Sequence, residues 1–260
     1  DTAGPMALTV EDAALLLRAI AGYDPRDPLT SRRPVPDYSL ALNDGVRGQK
    51  VGLIRELTSG ADTDGEVRQA VVDAARQLER LGATVEETSL PLLPLAGAIF
   101  MALADSEAAG FHQPWLRTRP MDYDQGTLRR LLTASLIPAA VYHRATRARA
   151  LIRRQVLGAL ARYDLLLCPT AHRAAPTIAE GKAPITERQQ VAGRFFTRRS
   201  YTAPAPLAGT PAIAVSCGFT RSGLPISLQL IGRPFDEATV LRAAHAYEAA
   251  TEWSSRRPLL

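Results

Sequence analysis

The chain is 260 residues long, 46% hydrophobic and 22% charged, with a formal net charge of +5 and a pI near 9.5. Those proportions suit a globular protein of one large or two small domains and exclude a disordered tail. No apolar run approaches the ~20 residues that a bilayer crossing needs, and the N-terminus lacks the basic-then-apolar order of a signal peptide, so a soluble cytoplasmic protein is expected.

The basic balance raises the question of a nucleic-acid partner. Arg144, Arg147, Arg149, Arg153 and Arg154 fall on a segment whose apolar positions Val141, Ala145, Ala148, Ile152 and Val156 recur at helical spacing, which reads as one solvated helix face. No RNA-binding aromatic motif or helix-turn-helix pattern accompanies them, so neither a nucleic-acid nor a membrane partner is expected. Cys168 and Cys217 lie in apolar contexts without CxxC or Cys/His zinc spacing and read as small core residues, with no metal. Lysine is scarce, with Lys50 and Lys182 the only two.

In chain order, Asp1 to Met6 reads as a turn already in progress, which suggests an upstream segment. Thr9 and Asp12 have capping-box-like spacing at the start of a helix that Gly22 ends. A polar, proline-rich stretch to Pro36 reads as loop. Lys50-Val51-Gly52-Leu53-Ile54 is a buried strand, Asp64 caps a helix with Val67, Val71, Ala74, Ala75 and Leu78 on one face, and Ala83 to Glu86 is a second strand. Strand, helix and strand in so short a span predict a βαβ unit with parallel strands.

From Leu95 to about Arg162 the pattern is mainly helical, with breaks expected near Pro114 and Pro138. Leu165-Leu166-Leu167 is a short buried strand running into Cys168-Pro169-Thr170, where proline is expected to stop further pairing. Residues His172 to Pro184 read as a surface loop. Ile213 to Val215 and Ile226 to Ile231 predict an antiparallel hairpin with a long turn across Gly218 to Pro225, and Asp236 caps a last helix to about Ala250. The fold class is α/β, a mixed β-sheet flanked by helices.

Three stretches together resemble the downstream portion of the amidase-signature family. They are Asp1 to Leu16, Tyr163-Asp164-Leu165-Leu166-Leu167-Cys168-Pro169-Thr170-Ala171, and Leu207-Ala208-Gly209-Thr210-Pro211-Ala212-Ile213 followed by Gly223-Leu224-Pro225 through Arg233-Pro234-Phe235-Asp236 to Thr239. The resemblance implies a single partial domain over residues 1–260, the C-terminal part of the amidase-signature fold. It also implies cofactor-free hydrolysis of a carboxamide bond by a serine nucleophile, a second serine on a cis peptide and a lysine base. A hydroxyl needs such a base, and a lysine serves only if burial lowers its pKa.

In the family those catalytic residues lie upstream of the segment that resembles Asp1 onward. In agreement, this sequence has no Gly-Gly-Ser run and no Gly-x-Ser-x-Gly, and Lys50 and Lys182 both read as surface. His143 and His245 read as helical, His112 and His172 as loop residues, and none as a triad member. No catalytic residue is therefore expected in this chain, which alone would be inactive.

A substrate-pocket role is what the resemblance leaves to it. The loop after Thr170 and the stretch from Phe195 to Pro206 would line the acyl side of a cleft, with Thr170, Phe195, Arg199 and Thr202 as candidate substrate-binding residues, and Arg129 (beside Arg130) as a candidate for a substrate carboxylate. Arg199 stands where the tRNA-dependent amidotransferase branch is aligned with an acidic residue. That favours a general amidase acting on a small-molecule amide over the core subunit of an amidotransferase. The third reading is a non-catalytic remnant, and a homo-oligomer or a missing N-terminal segment stays open.

Overall fold

A computed structural model describes residues 3–182, 186–191 and 196–256. Five strands, β1 (Lys50–Ile54), β2 (Thr84–Thr88), β3 (Leu165–Pro169), β4 (Ala212–Phe219) and β5 (Pro225–Gly232), form one sheet in the order β2-β1-β3-β5-β4. β1 is parallel to both β2 and β3, whereas β5 is antiparallel to β3 and β4. The sheet is mixed, as expected. Among the described residues are eleven α-helical segments: α1 (Val10–Ile20), α2 (Arg55–Thr58), α3 (Gly65–Arg80), α4 (Ala96–Thr118), α5 (Gln125–Ala134), α6 (Ala139–Leu160), α7 (Ile178–Lys182), α8 (Arg188–Val191), α9 (Arg198–Ser200), α10 (Pro204–Ala208) and α11 (Glu237–Ala249).

The unbroken apolar run of β3 follows from its central place. Leu165 and Leu167 point into a core shared with α3 and α11, while Leu166 and Cys168 point into one shared with α4, α6 and α10. A strand covered on both faces has no reason to alternate. Local signals set the first parallel pair. The Asp64 side chain accepts the Glu66 N–H at the start of α3, and the helix buries Val67, Val71, Ala74, Ala75 and Leu78. Thr9 caps α1 by accepting the Asp12 N–H at 3.1 Å.

Several expectations are corrected. Pro114 lies inside α4, and the break comes instead at Arg119 to Asp124; His112 is accordingly helical. Pairing does not stop at Pro169, because the Thr170 N–H donates to Ser227 O at 3.1 Å, and its hydroxyl to the same oxygen at 3.0 Å. Part of the expected loop from His172 to Pro184 is the short helix α7; the end of that stretch lies outside the described residues. The β4–β5 turn is shorter than predicted, with Gly218 already paired to Ile226 next to a bulge. Asp236 precedes α11 without a side-chain cap bond.

Candidate functional site

In open α/β sheets, binding sites gather beyond the carboxyl ends of parallel strands. β1 ends at Ile54, and the chain turns at once through α2 into a Ser-Gly-Ala-Asp stretch at 59–62. A cleft of about 230 Å³ opens there, lined by Glu56, Leu57, Gly60, Ala61 and Asp62 on one side and by Pro94, Thr197, Ser200 and Tyr201 on the other. Gly60 is required at its position, since a Cβ would overlap the Glu56 carbonyl oxygen. The cleft is thus made where α2 and the turn after it meet a segment that arrives from more than a hundred residues further on.

The far wall is fixed by a buried polar network. The Tyr201 ring is buried, and its hydroxyl lies 2.8 Å from Thr63 Oγ1, which donates to Leu57 O at 2.9 Å. From the sheet side, Gln229 Nε2 donates to Tyr201 O at 3.0 Å and approaches Cys168 Sγ at 3.5 Å. Ser200 Oγ donates to Pro94 O at 2.8 Å and accepts the Gly97 N–H at 3.1 Å. Its hydroxyl is therefore engaged in holding the segment against α4. Mutually satisfied buried polar groups of this kind make a wall rigid.

Electrostatically the lining is acidic, with Glu56 and Asp62 and, among the described residues, no lysine or arginine. Burial works to raise the Glu56 carboxyl, but hydrogen bonds from Ser89 Oγ (2.6 Å) and the Leu90 N–H (2.8 Å) outweigh it and hold the group below the usual carboxylate range. Glu56 is thus a fixed anion. Cys168 is the opposite case: complete burial pushes its thiol up to about 12, so at neutral pH it is inert core. Burial likewise pushes Cys217 up to about 12. Both cysteines are buried and free, as the sequence suggested.

Of the candidate binding residues, Arg199 lies on α9 between lining residues, half-buried, and Thr202 is exposed one residue beyond Tyr201. Thr170 is tied to Ser227 at the end of β3 and is not part of this lining. Arg129 is exposed on α5, donating to Gln125 O of its own helix, whereas Arg130 makes an ion pair with the buried Asp105. The structure brings neither arginine to the cleft. Phe195 lies outside the described residues. Lys50 is exposed at the start of β1, where its N–H donates to Asp164. Among the described residues, no group of three His, Cys, Asp or Glu is placed to hold a metal ion, and no helix is long and apolar enough to cross a membrane.

Sequence reasoning missed Glu56, Gly60 and Asp62. For Gly60 and Asp62 the signal was available: a buried strand followed within a few residues by Ser59-Gly60-Ala61-Asp62 is where an α/β sheet places a site.

The chain matches the Amidase family over residues 1–241. This chain belongs to the amidase family. Its amidase-signature relatives include the A subunit of glutamyl-tRNA(Gln) amidotransferase from Thermosynechococcus vestitus, to which it is 36% identical over 100% of its own length and 57% of that protein. The solved A subunit of the Thermotoga maritima glutamyl-tRNA(Gln) amidotransferase superposes with a TM-score of 0.76 at 32% identity, covering 94% of this chain and 52% of that one. A structure described as a vestigial protein complex that reveals the evolutionary origins of an s-triazine catabolic enzyme superposes at 0.80 with 29% identity, covering 95% and 52%. This amidase-family chain thus spans a little over half the length of the proteins it resembles. The preference drawn from Arg199 for a general amidase over the amidotransferase branch finds no support in the first two of these relatives, both of which are A subunits of glutamyl-tRNA(Gln) amidotransferases.

Proposed function

We propose that this chain forms the substrate-cleft part of an amidase-signature hydrolase of carbon–nitrogen bonds, of the type found as the A subunit of the amidotransferase, with the serine nucleophile and lysine base supplied from residues outside it. The observation that carries the reading is 36% identity to such a protein sustained over the whole chain. The lining is compatible with it: Asp62 offers a carboxylate that would attract an amine-bearing substrate, a role for which the cation at Arg199 is unsuited, while the Glu56 oxygens are already engaged by Ser89, Leu90 and Arg55. Residues 1–260 act as one partial domain in this account, and the protein works with partner subunits. The second reading is a free-standing amidase of small carboxamides, favoured by the cation at Arg199.

The test joins this chain to the upstream part of the Thermosynechococcus relative. Labelling by a serine-directed fluorophosphonate, together with amide-nitrogen transfer that needs partner subunits and charged tRNA, is the expected result. Turnover of simple carboxamides without partners selects the free-standing amidase. Absence of labelling in a folded chimera overturns both.

A further inference from the structure

Positive charge in this chain is concentrated. Between Asp124 and Asp164 there are eight arginines, no lysine, and no aspartate or glutamate, so with +5 overall the remainder carries −3. Folding does not disperse that charge. Five of the arginines sit on α6, whose 22 residues extend over about 33 Å.

Two of the five serve the fold itself. Arg149 Nε donates to Leu207 O at 3.1 Å and Arg153 to Ala208 O, so both cap the carboxyl end of α10. Arg144, Arg147 and Arg154 differ. All three are exposed, and no carboxylate among the described residues makes an ion pair with any of them. Spacings of three and then seven residues keep them on one stripe, about 15 Å long.

An ordinary solvated helix face mixes charges. α3 does so, with Arg76 on Asp73, and Glu66 meeting Arg221. Arg144, Arg147 and Arg154 have no such ion-pair partner among the described residues, and the sequence expectation of a merely solvated face does not account for that.

We propose that the Arg144–Arg147–Arg154 ridge docks the phosphate backbone of a nucleic acid. A guanidinium fork matches phosphate oxygens in bidentate fashion, and phosphates recur every ~3.4 Å along a duplex strand, so a stiff 15 Å row meets several at once. A flexible acidic peptide offers no such preordered row. A bilayer surface would call for apolar insertion, and Leu151 is the single large exposed apolar residue between Arg144 and Arg154. No Phe, Tyr or Trp occurs between those two arginines, so the ridge reads charge rather than bases, and duplex is accepted without regard to sequence. The inference rests on the ridge and not on the cleft, and duplex binding tests it separately from the charged-tRNA requirement of the proposed reaction.

The experiment measures fluorescence anisotropy of a labelled DNA duplex of about 20 base pairs with the full chain at salt from about 50 to 200 mM. Binding is expected to weaken with salt, with a log–log slope near −3, about −0.9 for each of three phosphates. The triple substitution Arg144→Gln, Arg147→Gln, Arg154→Gln should cost at least about tenfold at 50 mM and flatten the slope. A charge-matched control, Arg47→Gln, Arg76→Gln, Arg80→Gln, should stay within about twofold. Unchanged binding in the first variant, or equal weakening in the control, overturns the proposal. So does polyglutamate or an anionic vesicle binding through these arginines when the duplex does not.

Discussion

The β1–α3–β2 unit and the cleft wall at residues 196–203 are built by different logics. In the first, each element follows from its own residues: a strand, a cap at Asp64, an apolar helix stripe and a second strand in parallel register with the first. The cleft wall has no comparable local pattern. It is placed by distant partners, with Ser200 on Pro94 and Gly97, Tyr201 on Thr63, and Gln229 reaching Tyr201 from the sheet. A scaffold encoded locally can thus carry a wall encoded only by tertiary contacts, and the two should fail differently.

The largest effect expected is from Leu78→Ala. Leu78 is fully buried where α3 packs on the sheet, and truncation there should cost about 2–5 kcal/mol. Because the scaffold is the cooperative unit, chemical denaturation should show one transition shifted as a whole; loss confined to the α3 amides would break the comparison. Next in size is Gly97→Ala. A Cβ there would overlap Phe196 O and stand 2.8 Å from Ser200 N, backbone atoms that cannot yield as a side-chain tip would. About 1–3 kcal/mol of overpacking is expected. Hydrogen exchange should speed up at the amides of Ser200 and Tyr201 while the β1 and β2 amides keep their protection. Uniform acceleration would show that the wall and the scaffold are one unit.

That contrast also explains what was legible in the sequence. The parallel pair, α3 with its Asp64 cap, the buried β3 and the β4–β5 hairpin could be read because strand alternation, capping and turns are short-range. Pro114 misled: a proline in a 23-residue helix forfeits one hydrogen bond, and the contacts of α4 with α5 and α6 outweigh that loss. At the cleft, the segment up to Tyr201 stands out through resemblance rather than through any pattern of its own. Arg129 and Thr170 are not on the lining, because the direction a helix face or strand end takes is set by packing that one sequence does not display. Glu56 escaped notice because its importance rests on Ser89 and Leu90, which are distant in the chain.

Smaller effects refine the comparison. Tyr201→Phe removes the hydroxyl that meets Thr63 but keeps the buried ring, and Thr63 retains its bond to Leu57 O, so about 1 kcal/mol is expected. Thermal unfolding would register the loss, and a cost above about 3 kcal/mol would mean that the network is far more strongly coupled than its pairwise bonds. Asp64→Ala should also cost about 1 kcal/mol by removing the cap, but on the scaffold side, with faster exchange in the first turn of α3 only.

The least effect at neutral pH belongs to Glu56→Gln, and it bears on the seam between the two regions. Glu56 lines the cleft yet is anchored to Ser89 and Leu90 just beyond β2. Its folded pKa lies below the ordinary value of 4.5, so in the acid range the unfolded chain binds more protons than the native one. The stabilisation is therefore complete above the ordinary glutamate range and is lost as pH falls through the lowered folded value. Asp164, held low by the Lys50 N–H and Arg233 against the opposing effect of burial, adds a second contribution of the same sign. Glu56→Gln should flatten part of the acid limb of stability against pH, and Asp164→Asn should remove a separate part. If the Glu56→Gln curve parallels that of the parent chain down to about pH 3, the carboxylate does not tie the seam, and its hydrogen bonds to Ser89 and Leu90 are surface contacts without energetic weight.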